Sequence, residues 1–156
     1  MNKFLIFLLL SVTLLEANTL HVNSPLSELN TFEYKTPNGR LMKIPKTSKL
    51  VIIAFGKDTG ATVNEYLNTK STYYLQRNHS IYIADIHKMP SIITSMFALP
   101  KLRKYKHLIY LNYNENFEKL IPKEEEKITL LHVENGVVKN IEFIQTQEEL
   151  RKAIDK

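Results

Sequence analysis

Two stretches, Leu50–Phe55 (LVIIAF) and Ser80–Ile86 (SIYIADI), are nearly unbroken runs of apolar and β-favouring residues too short to make stable helices. Such runs predict central strands buried on both faces, and His107–Asn112 (HLIYLN) predicts a third. In the second run the isoleucines fall on one face and Tyr82 and Ala84 on the other. Shorter alternating runs occur in pairs. Phe32–Lys35 and Arg40–Ile44 flank Thr36-Pro37-Asn38-Gly39, and Ile128–Val133 and Val137–Phe143 flank Glu134-Asn135-Gly136. An Asn-Gly pair between two alternating segments predicts a β-hairpin, because both residues tolerate the left-handed conformation that tight hairpin turns need.

Helical spacing fills the gaps. Val63, Tyr66, Leu67, Lys70, Tyr74 and Arg77 share one face of a helix expected over 60–77, with Asp58 or Thr59 as its cap. A second helical stretch is expected over Ser91–Ala98, interrupted at Leu99-Pro100 and resumed through Tyr105. Asn114 heads a short helix that Pro122 stops. At the end of the chain Thr146 and Glu149 have capping-box spacing, and Leu150 and Ile154 face inward at i, i+4. The order hairpin, βα, βα, βα, hairpin, α implies an α/β domain with a mixed sheet flanked by helices. We assign it to residues 32–156, preceded by an extended lead-in over residues 18–31 that carries Pro25.

The N-terminus alters the expected compartment. Lys3 precedes an apolar run from Phe4 to Leu15, and Glu16-Ala17 ends it on a small residue. This is the pattern of a signal peptide over residues 1–17, and it predicts a periplasmic or secreted protein. The run is shorter than the roughly 20 residues that span a bilayer, so no stable membrane span is expected after cleavage. A formal net charge of +5 suits attraction to anionic partners, although solubility is the commoner reason for such a balance. With 156 residues the chain has room for one packed core. It contains no cysteine, so the fold must hold without disulfides and no thiol chemistry is open to it.

The order of elements resembles a thioredoxin-like fold of the redoxin type, with a helix and strand inserted after the second core strand. The most specific pieces are ITLLHVENGVVKNIEFIQTQEELRKAI, similar to the closing hairpin and last helix of thioredoxins, and KTPNGRLMKIP, similar to the leading hairpin of periplasmic redoxins. Against the redoxin strand-turn-helix, AFGKDTGATV puts Gly60 and Val63 where the two active-site cysteines would stand, and Lys127-Ile128 where the family's cis-proline would be. The resemblance therefore implies the scaffold without its redox chemistry. Within it, Met89, Pro90, Met96 and Phe97 and the non-proline approach to ITLLHVENG resemble the YtfJ-like family of small exported proteins, whose function is not established.

Candidate chemistry is sparse. A strand running into a helix N-terminus leaves backbone N–H groups for an anion or an acidic partner, which makes Gly56, Lys57, Gly60 and Ala61 a candidate binding site. Asp85 and His87, two apart on a strand, point the same way and form an alternative non-thiol centre; the competing reading is a salt bridge at a loop edge. One Asp and one His do not make a metal site, and no metal or cofactor is expected. His79, His107 and His132 read as isolated polar residues at strands. Met89, Met96 and Phe97 read as core packing, with an adaptable binding surface as the rarer alternative. Lys101, Arg103, Lys104, Lys106 and His107 form a basic cluster with Tyr105 interleaved. In an exported protein that suggests a solvated face, an envelope protein or an anionic ligand rather than nucleic acid. Phosphate-loop, dinucleotide and nucleophile-elbow motifs are absent. The leading expectation is a redox-inactive binding module; the alternative is an enzyme centred on Asp85 and His87.

Overall fold

A computed structural model describes residues 19–155, so segment 1–17, where a signal peptide is expected, lies outside the described residues. Seven strands form one sheet: β1 (Tyr34–Lys35), β2 (Leu41–Met42), β3 (Leu50–Ala54), β4 (Ser80–Asp85), β5 (Tyr110–Asn112), β6 (Ile128–Glu134) and β7 (Val137–Ile144). Their order across the sheet is β2-β1-β5-β4-β3-β6-β7. β3, β4 and β5 are parallel neighbours, and every other pairing is antiparallel. The expected mixed sheet is therefore present. Both hairpins form where Asn-Gly predicted them: Gly39 has φ +83°, and Asn135 and Gly136 have φ +52° and +75°, the two left-handed residues of a type I′ turn.

All residues of β3 and β4 are buried, and alternate side chains enter two cores. On one face Leu50, Ile52, Tyr82 and Ala84 pack with Val63, Leu67, Leu75, Leu150 and Ile154. On the other, Val51, Ile53, Ile81 and Ile83 pack with Leu26, Leu29, Tyr34 and Phe117. The helices are α1 (Lys57–Asn68), α2 (Tyr74–Arg77), α3 (Ser91–Ile93), α4 (Leu99–Leu102), α5 (Phe117–Leu120) and α6 (Gln147–Ile154).

Several boundaries differ from expectation. The helix expected over 60–77 begins at Lys57 and ends at Asn68. Extended Gly56 is its N-cap, and neither Asp58 nor Thr59 caps it; the Thr59 hydroxyl instead donates to the Gly56 carbonyl. Thr69 ends it by donating its hydroxyl to the Tyr66 carbonyl, an alternative to the helical ladder that Thr offers readily. The break expected at Leu99-Pro100 is absent. A π-helical segment, Thr94–Ala98, joins α3 to α4, and its wider turn lies just ahead of Pro100, which has no N–H to give and crowds the preceding turn of a regular α-helix. α4 stops at Leu102, short of Tyr105. The lead-in is not wholly extended either: Leu26–Thr31 is a 3₁₀-helix that buries Leu26 and Leu29 beneath the sheet. Asn114 does not cap α5 directly; its carboxamide oxygen accepts the Asn116 N–H one turn earlier.

Candidate functional site

The carboxyl ends of β3, β4 and β5 and the start of β6 converge at one end of the sheet, where open α/β sheets place their ligands. Asp85 closes β4 there with only 2% of its side chain exposed. Its Oδ1 accepts from Asn112 Nδ2 at 2.9 Å, and both of its carboxylate oxygens lie 2.9 Å from His87 Nδ1. Asn112 is the register partner of Asp85 on β5, so the contact follows from strand pairing. The other imidazole nitrogen, Nε2, faces Glu118 Oε1 at 3.6 Å. Lys88 at 2.8 Å and Lys123 at 2.5 Å complete the chain of charges. The Lys123 and then the Lys88 ammonium groups hold the Glu118 carboxyl down at about 2. Nearby, burial and then the charge of Asp85 push the Tyr34 hydroxyl above its ordinary range while it donates to the Leu29 carbonyl at 2.7 Å.

Asp85 and His87 are thus brought together as their spacing predicts, within a network of alternating charge. Each nitrogen of His87 faces a carboxylate, and its side chain is 10% exposed. Among the described residues no cluster of three or more His, Asp or Glu is arranged to hold a metal ion. Sequence reasoning missed Asn112 and Glu118; the one signal for Asn112 was a polar residue ending an apolar strand.

At the turn after β3, Gly56 and Lys57 are exposed at the start of α1, whereas Gly60 and Ala61 are half-buried. The Gly60 N–H donates to the Gly56 carbonyl at 2.9 Å. The donors of the first turn that helix geometry leaves over belong to Lys57, Asp58 and Thr59. Val63 lies beyond that turn and is fully buried in the core, so the helix start, rather than Val63, occupies the place where a dipole could stabilise a thiolate.

Met96 and Phe97 do not pack in the core. They are 65% and 63% exposed, and Ile92 and Ile93 beside them are 66% and 45% exposed. Met89 alone of the expected group packs against the core. Ile92 and Met96, and likewise Ile93 and Phe97, are four residues apart and form one apolar ridge. The helical stretch that carries this ridge begins at Ser91, after the short loop that leaves the carboxyl end of β4 at Asp85.

The remaining histidines separate. His79 is exposed with φ +50°, and His132 reaches Glu142 across the β6–β7 hairpin at 2.9 Å. His107 is buried, with Nε2 2.9 Å from Asn64 Oδ1 and its ring stacked on Tyr105. Burial lowers its pKa to about 4. At the opposite end of the sheet, Arg103 of the basic cluster donates Nε to the Pro37 carbonyl at 3.0 Å, tying the tip of the first hairpin to the loop after α4.

No family model matches the chain, and no curated protein matches it. Solved structures do. An uncharacterized thioredoxin-like protein from Porphyromonas gingivalis is 16% identical at a TM-score of 0.50, covering 80% of this chain and 87% of its own. A protein provisionally assigned as a disulfide isomerase, from Bacteroides thetaiotaomicron, is 13% identical at 0.52, covering 88% and 86%. A hypothetical protein from Sinorhizobium meliloti is 15% identical at 0.52, covering 88% and 84%. The fold is thioredoxin-like, and the chain builds it without cysteine. The narrower resemblance to the YtfJ-like family gains no support from these comparisons.

Proposed function

We propose that this protein is an exported, redox-inactive thioredoxin-like module that binds a partner protein at the carboxyl end of its sheet. Export rests on the signal-peptide pattern of residues 1–17. Redox inactivity follows from chemistry, since thiol-disulfide exchange needs a sulfur nucleophile and the chain has none. The observation that carries the binding role is the ridge of Ile92, Ile93, Met96 and Phe97, four large apolar side chains held in solvent on one helical segment. Exposed Lys57 at the turn after β3, with Lys88 and Lys123 sharing the one carboxylate of Glu118, leaves this end with a positive excess that favours a partner with an apolar anchor and an acidic rim. Gly56 contributes the backbone of the adjoining turn to this surface, while Gly60 and Ala61 lie inside α1 with the Gly60 N–H already given to the Gly56 carbonyl.

The alternative, a non-thiol enzyme centred on Asp85 and His87, draws less support. A general base must reach substrate, and His87 is largely buried with a carboxylate facing each ring nitrogen. The test places a photo-crosslinking residue at Phe97 or, as a control on the far strand, at Lys139, in the full chain within its native cells. One acidic-rimmed protein should be captured from Phe97 alone, and with that protein purified, Phe97→Asp should weaken binding roughly tenfold or more at unchanged Tm. Equal capture from both positions, or unaltered affinity of the Asp variant, refutes the proposal.

A further inference from the structure

At the amino end of the parallel strands, a cleft of about 480 Å³ opens between the tip of the β1–β2 hairpin and the loop joining α4 to β5. Its size falls within the roughly 300–1,000 Å³ typical of small-molecule sites. Every charged residue lining it is basic: Arg40 from the hairpin, and Arg103 and Lys106 from the loop. Among the described residues no carboxylate lies within ion-pair distance of any of the three. Arg103 is positioned by its Nε bond to Pro37, which leaves its two terminal nitrogens directed elsewhere. Three uncompensated cations in one cleft favour a dianion over a monoanion, and phosphate is the dianion that guanidinium forks match best.

The inner wall is made of two stacked rings, Tyr105 and His107. His107 lines the cleft and is 7% exposed. Its Nε2 is engaged by Asn64, and its Nδ1 is a buried nitrogen without a hydrogen-bond partner among the described residues. With Nε2 donating to the Asn64 carboxamide oxygen, Nδ1 is an acceptor short of a donor, a costly arrangement in a protein interior. Tyr105, stacked on His107, supplies an aromatic surface beside it.

We propose that this cleft binds a small phosphate ester with a ring-bearing, hydroxylated body, of about the size of a nucleoside monophosphate. Arg40, Arg103 and Lys106 hold the phosphate at the mouth. The body lies along Tyr105, whose ring is stacked on the buried His107 at the inner wall. The site is independent of the docking ridge and would survive its failure.

The test titrates the full-length, isotope-labelled protein with adenosine 5′-monophosphate, adenosine and inorganic phosphate, each to about 10 mM. The monophosphate should shift the amides of Gly39, Arg40 and residues 103–109 and the His107 imidazole nitrogens. It should bind roughly tenfold or more tightly than either fragment, because each fragment keeps only half of the contacts. Lys106→Glu and Arg40→Glu, both on exposed side chains, should each weaken it by a similar factor at unchanged Tm. Absence of shifts at the highest concentration, shifts confined to other parts of the protein, or unchanged affinity of the two variants overturns the proposal. Inorganic phosphate binding as tightly as the ester also overturns it, since the cleft would then hold an adventitious ion only.

Discussion

His107 shows how one side chain can couple the fold to pH. The ring packs against Tyr82, Tyr105 and Asn64, and burial lowers its pKa from 6.5 to about 4. Between those values the unfolded chain binds the proton and the native chain does not, so stability rises with pH across this window. The contribution is complete above the unfolded value and is lost as pH falls through the folded one. It amounts to about 1–3 kcal/mol. His107→Gln keeps an amide donor for Asn64 and removes the titration. Thermal melts at pH values from about 7 down to 4.5 should show a smaller fall in Tm for this variant than for the native chain; parallel falls would mean that His107 is not the group responsible. Little of this was legible in sequence, where His107 is one polar residue at the start of an apolar run. Its burial comes from α1, some 40 residues away, through Asn64. Asp85 and His87 were legible because alternate strand residues share a side, a local rule. Glu118 was not, since the α5 turn that brings it to His87 is set by tertiary packing of Phe117.

Elements with a strong local signal form where expected, and α6 is the plainest case. The Thr146 hydroxyl accepts the Glu149 N–H, and the Glu149 carboxylate accepts the Thr146 N–H, so both halves of the capping box are present. Leu150, Ala153 and Ile154 then face the core. Thr146→Ala removes the acceptor for one N–H and should cost about 1 kcal/mol, read from urea midpoints at unchanged slope. A loss near zero would mean that packing of Leu150 alone fixes the helix start. The two hairpins were equally readable, because residues that accept a positive φ stand at each tip, Gly39 in the first and Asn135 and Gly136 in the second. The helix after β3 was not, since the polar residues after Asn68 keep helical spacing and give no stop signal as strong as Gly or Pro. The π segment before Pro100 and the 3₁₀-helix over Leu26–Thr31 were missed for a related reason. Proline reads as a break or an extended lead-in, and only tertiary contacts show that a widened turn or a short tight helix accommodates it better.

At the scale of the whole molecule, the sheet divides two hydrophobic cores, and no disulfide ties them together. What joins them is the central pair β3 and β4, whose consecutive side chains enter opposite faces: Ile52 lies in the core beneath α1 and α6, and Ile53 in the core beneath the 3₁₀-helix and α5. Both are fully buried, and both stand on one strand that is hydrogen-bonded on each side. Neither core can lose its packing while that strand stays in place with one face exposed, because a sheet stripped of one layer would present a large apolar surface to water. Unfolding should therefore be a single transition, with far-ultraviolet circular dichroism and tyrosine fluorescence giving the same midpoint. Ile52→Ala and Ile53→Ala, although they open cavities on opposite faces, should each lower that one transition by about 2–5 kcal/mol. Reductant should leave the midpoint unchanged, since there is no disulfide to open. Two separate transitions, one sensitive to each substitution, would show that the layers are independent and that β3 does not couple them.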